Sequence, residues 1–592
     1  MNRIQQRLGV FRDEMRKAGV AACIIPGTDP HASEYIADYW KEREWISGFD
    51  GSAGTAVVTL HEAGLWTDSR YFLQGTEQLK GTGFELMKMG LPETPDMLSW
   101  LNQVLKPGEK VAVNPQMFSL NSYASMEKEL SMNGLQLISA DIPAAAWTDR
   151  TPLPTDPFFV FSAEKAGRTC AEKIQSVRNE LQKAHADVVV MSALDDIAWL
   201  FNIRGRDVAY NPVVIAYAML DAKNCVLYLD DRKLTDDTAA YLAGENVTVK
   251  PYLSVYDDLR ALPLQNKVLV DGAKLNQSLY EAIPKSCTKI NQMSPVFKLK
   301  AIKNEVELAG IRQAMLKDGV ALTRFFMWLE ANVASGTLTE VGIAEKLAGF
   351  RADQGDFFGE SFGTIAGFAG HGAIVHYRAD AASDASLTTD NILLLDSGGQ
   401  YLQGTTDITR TVTLGNTTGQ QKTDFTLVLK GHIGLGSAKF PVGTRGSQLD
   451  ILARKAMWDL GINYGHGTGH GIGHFLNVHE GPQSIRMEEN PITLQPGMIL
   501  SNEPGLYRSN QYGIRTENLV RVRESVATEF GQFLEFETLT LFPIDKNLID
   551  QSMLTQQELN WLNNYHQEVY DKLAPMLIAD EQAWLRNKTS AL

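Results

Sequence analysis

The chain has 592 residues, 44% apolar and 21% charged, the balance of a soluble globular protein with more chain than one hydrophobic core accommodates. A formal net charge of −15 leaves no basic footprint for nucleic acid or an anionic membrane surface. Four scattered cysteines, Cys23, Cys170, Cys225 and Cys287, show no CxxC spacing, so they imply no disulfide framework and suit a reducing compartment.

The N-terminus, MNRIQQRLGVFRDEMRKAGV, carries charges throughout and lacks the apolar run of a signal peptide. No apolar stretch approaches the roughly 20 residues of a membrane span, and the expected location is cytoplasmic. Residues 21–26 read as a strand and 27–30 as a turn. In 45–68, WISGFDGSAGTAVVTLHEAGLWTD, two β-rich runs (55–60 and 64–67) flank a short polar turn, a hairpin pattern. The same order recurs about 160 residues later: a strand at 186–191, a segment at 195–202 with Trp199 aligned, and paired strands within 213–229. Asp68-Ser69-Arg70 even has a counterpart in Asp231-Arg232. This duplication predicts two N-terminal domains of one fold, 1–155 and 156–298, joined by the proline-rich 149–158, DRTPLPTDPF.

A third domain, 299–592, opens on KLKAIKNEVELAGIRQAMLKDGVALTRFFMWLE, where Val306, Ile311, Met315, Leu322, Phe325, Phe326 and Leu329 recur at helical spacing. Its last segment, 555–592, is helical in pattern, with Leu559, Leu562 and Tyr565 on one side and Trp584 beyond, and reads as a capping helix.

Chemistry concentrates in three stretches of this domain. NILLLD is an apolar run ending in Asp396, and TDITRTVTL alternates as a strand. A hairpin centred between Tyr401 and Leu402 sets Asp396 opposite Asp407. Such neighbours lie about 4.5–5.5 Å apart at Cβ, which suits carboxylates sharing ions about 3.5–4 Å apart. The construction repeats in GMILSNE and GIRTENLVRV, where centring on Asn510 sets Glu503 opposite Glu517; a pseudo-twofold half-barrel is the expectation. Arg515 shares a strand face with Glu517 and is placed to hold a metal-bound carboxylate. The third stretch, HGTGHGIGHFLNVHEGP from His466, spaces His466 and His470 as a helical metal pair would, but its glycines oppose helix. An extended strand puts both on one face, with the glycines leaving space for a peptide backbone. His376 and His479 are candidates for proton transfer near neutral pH, and His474 reads as a satisfied histidine.

These motifs together resemble the three-domain Xaa-Pro aminopeptidases of the pita-bread metallopeptidases. The resemblance rests on SEYIADYWKEREWISGFDGSAGTAVVT and WTDSRYFLQG in domain one and ALDDIAWLFNIRGRDVAYNPV in domain two. In domain three it rests on AIKNEVEL, IVHY, LLDSGGQYLQGTTDITRTV, the histidine stretch, PGMILSNEPGLY, GIRTEN and LTQQELNWLNNYH. It implies an α/β (α+β) chain, two similar creatinase-like α/β domains followed by a pita-bread catalytic domain with a helical tail.

The resemblance also implies a ligand set for two divalent ions: Asp396, Asp407, His470, Glu503 and Glu517, with Asp407 and Glu517 central to bridging. His376, His466 and His479 match histidines that bind substrate and shuttle protons, Tyr507 falls among the substrate contacts, and Glu34 and Arg70 match residues that reach toward the active site. Four carboxylates and one imidazole nearly neutralise two divalent ions, and the oxygen-rich set favours Mn²⁺, with Zn²⁺ or Co²⁺ as substitutes. Such ions would lower the pKa of a bridging water and generate hydroxide near neutral pH, with Glu503 as general base, His479 assisting and His376 near the scissile carbonyl. The implied substrates are peptides with proline second, and the implied assembly is a homodimer. A dipeptide-specific prolidase is the alternative, and a metal-free pita-bread binding protein is disfavoured by the complete ligand set. His371, Arg378 and His474 depart from common residues at their positions and could reshape the pocket.

Overall fold

Two six-stranded sheets of one topology make up the N-terminal half of the chain. The first contains β1 (Ala22–Pro26), β2 (Thr55–Thr59), β3 (Ala63–Thr67), β4 (Glu85–Lys88), β5 (Lys110–Val113) and β6 (Gln136–Ser139), in the order β4-β3-β2-β1-β5-β6. The second contains β7 (Val188–Met191), β8 (Ala216–Asp221), β9 (Cys225–Leu229), β10 (Thr248–Pro251), β11 (Lys267–Val270) and β12 (Thr288–Asn291), in the order β10-β9-β8-β7-β11-β12. In each, the second strand is antiparallel to both neighbours, and the outer strands join in parallel. Trp199 is buried in the helix Leu194–Leu200. The strands form where Val, Ile and Leu runs bury both faces.

The computed structural model describes residues 2–380 and 383–592. Both sheets belong to one unit, the chain up to Ala163 together with Arg168–Phe297, while Glu164–Gly167 joins Lys298–Leu592 in a second. The two repeats are thus packed together rather than standing apart. Asn276 Nδ2 donates to the Pro30 carbonyl at 2.9 Å, and His31 is held between the Ser192 carbonyl and the Tyr252 hydroxyl, both at 2.8 Å. All four cysteines are free and buried. No helix among the described residues is long and apolar enough to cross a membrane.

The C-terminal unit begins with α1 (Glu305–Asn332). Asn304 caps it through the amides of Val306 and Glu307, and the Glu307 carboxylate returns to the Asn304 amide, a reciprocal capping box. Ile311, Met315, Leu322, Phe325, Phe326 and Leu329 are buried as their spacing predicts, whereas Val306 is 42% exposed and the buried apolar stripe starts at Leu308, 1% exposed.

Phe325, Phe326 and Leu329 pack on Leu393, Leu395 and Ile408 of a sheet ordered β13-β14-β17, from β13 (Ile365–Phe368), β14 (Ile392–Ser397) and β17 (Ile408–Thr413). Between β14 and β17 lie the short strands β15 (Gly399–Tyr401) and β16 (Gly404–Thr405). Strand alternation then turns Leu394 and Asp396 to the face away from α1. A second sheet contains β18 (Gly469–Gly471), β19 (Glu480–Ile485), β20 (Ile499–Asn502), β23 (Asn518–Thr528) and β24 (Gly531–Thr538), with β21 (Gly505–Arg508) and β22 (Tyr512–Arg515) as a separate hairpin between β20 and β23 in the chain. Helices α2 (Glu340–Ala352), α3 (Gly419–Gly436), α4 (Gly446–Trp458) and α5 (Gln556–Leu573) complete the elements used below.

Candidate metal centre

The first hairpin turns one residue later than its sequence pattern suggested. Tyr401 pairs with Gly404 and Gln400 with Thr405, so the centre lies between Leu402 and Gln403, and Asp396 faces Thr409 rather than Asp407. The turn is set from outside: the Asp356 carbonyl accepts from the Leu402 amide at 3.0 Å, and His474 Nε2 lies 2.9 Å from the Gln403 carbonyl. A shift of two in the partner preserves the face, so Asp407 remains beside Asp396 as its diagonal neighbour.

The second hairpin keeps a single register. Asn502 pairs with Asn518 at the end of the β20–β23 ladder, and Gly505 pairs with Arg515 where β21–β22 begins. Both pairs centre on Asn510, which has φ +59°, a left-handed conformation that Asn tolerates. Glu503 and Glu517 fall at facing positions in the gap between the ladders.

His470 comes from β18, where its amide donates to Ser501 Oγ at 3.0 Å. Only Gly469–Gly471 is a strand; His466 precedes it in irregular chain, which corrects the expectation of one extended strand from 466 to 470. The glycines also have another reason. A Cβ at Gly469 would lie 2.1 Å from the Ser501 carbonyl oxygen, and one at Gly471 would lie 2.1 Å from that of Glu480. At these two positions the glycine makes room for a neighbouring protein strand, whereas a Cβ at Gly467 would meet nothing nearer than 3.5 Å.

Asp407, His470 and Glu517 each present a ligand atom within 4.8 Å of the others. His470 Nε2 is 3.5 Å from Asp407 Oδ2 and 3.6 Å from Glu503 Oε1. Glu517 Oε2 accepts from Thr409 Oγ1 at 2.7 Å. Arg515 Nη2 donates to Asp396 Oδ2 at 2.6 Å, so the arginine holds a carboxylate from the other hairpin rather than its strand neighbour Glu517. Asp396 Oδ1 is buried with no hydrogen-bond partner among the described residues.

Four carboxylates are gathered here around one guanidinium. Burial first, then Asp396 and Glu503, pushes the Asp407 carboxyl well above the carboxylate range. Burial, Asp407 and Asp396 do the same to Glu517, and burial and Asp396 raise Glu503 to about 7. Such a cluster is stable as anions only around additional positive charge. The orphaned Asp396 oxygen, the converging ligand atoms and the thiolate-free donor set fit divalent cations.

The histidines expected to handle substrate are tied to this cluster. His466 Nε2 lies 2.8 Å from the Tyr507 hydroxyl, which accepts from Arg515 Nη1 at 2.6 Å. The His479 ring stands perpendicular to that of His470, with centroids 4.4 Å apart. His376 follows Val375, whose carbonyl accepts from Arg515 Nη2 at 3.4 Å, and precedes Tyr377, whose hydroxyl donates to Glu340 Oε2 at 2.7 Å. His371 stacks on Tyr377 at 4.5 Å and places Nδ1 3.0 Å from both Glu340 oxygens, so it braces the turn carrying His376. Arg378 is exposed. His474 is a core histidine, 2% exposed, that ties the hairpin turn to Glu307 of α1. Glu34 and Arg70 belong to the N-terminal unit, where Arg70 is a two-point partner of Asp68, at 2.8 and 2.7 Å. Sequence reasoning missed Thr409, although alternation in TDITRT places it on the Asp407 face.

Comparison with known proteins adds an independent line. Residues 7–145 and again 149–307 match the Creatinase/Prolidase N-terminal domain, 309–524 match Metallopeptidase family M24, and 532–592 match the C-terminal region of peptidase M24. The probable Xaa-Pro aminopeptidase P of Laccaria bicolor is 42% identical, covering 99% of this chain and 93% of that one. Aminopeptidase P2 of Arabidopsis thaliana is 39% identical, covering 97% and 86%. The crystal structure of X-prolyl aminopeptidase from Caenorhabditis elegans, described as a cytosolic enzyme with a di-nuclear active site, matches at a TM-score of 0.95 with 35% identity over 100% of both chains. The Xaa-Pro dipeptidase of Bacillus anthracis shares the fold at a TM-score of 0.52 and 23% identity, with 64% of this chain matching 99% of that one.

Proposed function

We propose that this chain, which belongs to the Xaa-Pro aminopeptidase P family of M24 metallopeptidases, removes the first residue from peptides with proline second, at a centre holding two divalent ions. The observation that carries this reading is the convergence of Asp407, His470 and Glu517 beside an orphaned Asp396 oxygen. Asp396, Asp407, His470, Glu503 and Glu517 would hold the pair. Their oxygen-rich set favours Mn²⁺, with Zn²⁺ or Co²⁺ able to substitute. When bound, the ions supply Lewis acidity that makes water nucleophilic near neutral pH and neutralises charge developing on the scissile carbonyl oxygen.

The chain's own groups do the rest. Glu503 accepts the proton of the attacking water and returns it to the proline nitrogen as the C–N bond breaks. His479, beside His470, assists that transfer, and His376 donates toward the scissile carbonyl. Arg515 keeps Asp396 in place, and through Tyr507 it also fixes His466 on the substrate side. An Xaa-Pro bond has no N–H and carries a rigid ring, so recognition rests on a ring-shaped pocket and on capture of the free amino terminus. The working form in this reading is a cytoplasmic homodimer acting on peptides, not on nucleic acid or membranes.

The test is hydrolysis of Arg-Pro-Pro by Mn²⁺-loaded protein, with arginine as the first product and activity abolished by chelation. Cleavage confined to Xaa-Pro dipeptides would favour prolidase, and protein that neither retains nor rebinds a divalent metal would refute the hydrolase reading.

A further inference from the structure

Arg410 follows Thr409 on β17, so its side chain leaves the opposite face of the strand from Asp407 and Thr409. It is 2% exposed, and among the described residues its hydrogen-bond partners are all neutral. Nη1 donates to the carbonyls of Glu517 and Thr409 at 2.6 and 3.0 Å. Nη2 donates to the Phe542 carbonyl at 2.7 Å, to Asn518 Oδ1 at 2.8 Å and to the Tyr565 hydroxyl at 2.9 Å, and Nε donates to the Pro543 carbonyl at 3.0 Å. One planar fork therefore joins β17, the Glu517–Asn518 step and the C-terminal region. Tyr565 belongs to α5, and its hydroxyl also lies within reach of the Thr540 and Phe542 carbonyls.

The same helix reaches the site by a second route. Trp561 stacks on Tyr565 at 5.4 Å and meets His432 of α3 edge-on at 5.9 Å. His432 Nε2 is 3.1 Å from Asn518 Nδ2, and Nδ1 is 3.1 Å from the Asn502 carbonyl. The hydrogen positions follow from donor chemistry. Arginine can only donate, so the Asn518 atom facing it is the oxygen and the other is the NH₂. That amide donates to His432 Nε2, which leaves the imidazole hydrogen on Nδ1, donating to Asn502. Burial, which pushes His432 down to about 3, keeps the ring neutral and the pattern fixed. Asn502 and Asn518 are register partners, and the next residues inward are Glu503 and Glu517.

We infer that α5 is part of the metal centre: through Tyr565 on Arg410 and Trp561 on His432 it sets the backbone that presents Glu517 and Glu503, making Arg410 and Tyr565 positioning residues for metal binding. This rests on the reading that these two glutamates hold the ions. The helix then does more than cap the fold, because loss of one hydroxyl on it loosens a guanidinium that grips the Glu517 carbonyl.

Calorimetric titration of Mn²⁺ into chelator-stripped full-length protein tests it, using Tyr565→Phe, Arg410→Lys and, as a control, Leu573→Ala, a fully buried position two turns further along α5. Tyr565→Phe is expected to weaken Mn²⁺ binding roughly tenfold, the lower end for groups behind metal ligands. Arg410→Lys keeps the charge but not the fork and is expected to weaken it further. Leu573→Ala should lower the unfolding temperature and leave Mn²⁺ affinity intact. Parental affinity in Tyr565→Phe overturns the inference, as does an equal loss in Leu573→Ala. If Arg410→Lys does not fold, the other two variants decide. Failure of the parent protein to bind Mn²⁺ would instead overturn the metal-centre reading on which the inference rests.

Discussion

Asp407→Asn separates the two roles of the carboxylate cluster. The amide keeps the shape of the side chain and its approach to His470 Nε2, 3.5 Å in the parent, but cannot take up the negative charge with which Asp407 would hold a metal ion. Without metal, that charge is unfavourable: Asp407 is 3% exposed, and burial with Asp396 and Glu503 raises its carboxyl well above the ordinary range. Removing it should leave the unfolding temperature in chelator, near neutral pH, equal to or above that of the parent. With metal the sign reverses. An ion that binds only the folded protein adds about 2.7 kcal/mol at a hundredfold excess over Kd. At about 2–4 °C per kcal/mol for a large domain, Mn²⁺ should raise the parent's transition by about 5–10 °C. The variant, missing a central donor, should show little of that rise and no detectable hydrolysis of Arg-Pro-Pro. Scanning calorimetry with and without Mn²⁺ reads both effects. A variant clearly less stable than the parent in chelator, or one that Mn²⁺ stabilises as it does the parent, would refute the reasoning.

Three further outcomes follow from named contacts. Tyr507→Phe removes the hydroxyl that Arg515 holds at 2.6 Å and that meets His466 at 2.8 Å; steady-state kinetics should show kcat lower by roughly 10–100-fold with Mn²⁺ affinity retained. Arg351→Met strips the fully buried Arg351–Asp318 pair, joined at 2.7 Å, and leaves a buried carboxylate beside Tyr401; urea unfolding should register a loss of about 3–5 kcal/mol, largely recovered by adding Asp318→Asn. His371, facing Glu340 and Tyr377, has its pKa raised above 6.5 chiefly by the hydrogen bond to Glu340. A group raised on folding stabilises fully below its unfolded pKa and loses that contribution as pH rises through its folded value. The denaturant midpoint of the parent relative to His371→Asn should therefore be level below about pH 6.5 and fall above it.

The two hairpins show how far local pattern reaches. In the second, Asn510 itself marks the turn, because Asn accepts the left-handed backbone that the turn requires, and the facing of Glu503 and Glu517 was legible. In the first, neither central residue, Leu402 or Gln403, has a left-handed backbone; the turn's place is set by contacts from Asp356 and His474, both distant in sequence. The centre accordingly fell one residue from the expected one, although the face bearing Asp396 and Asp407 was right. The duplication of the N-terminal sheets was legible because repeated strand and turn signals are local, while their packing into one unit depends on contacts such as Asn276 to Pro30.

By itself, then, the sequence determined which side chains share a strand face, where strands end in acids, and that the glycine-rich histidine stretch is not helical, since each follows from backbone geometry over a few residues. Tertiary structure alone decided which faces meet. Arg515 finds Asp396 across 119 residues of chain, and Arg410 finds Tyr565 across 155. Hydrogen bonds of that kind depend on the path of the whole chain, and periodicity carries no record of it.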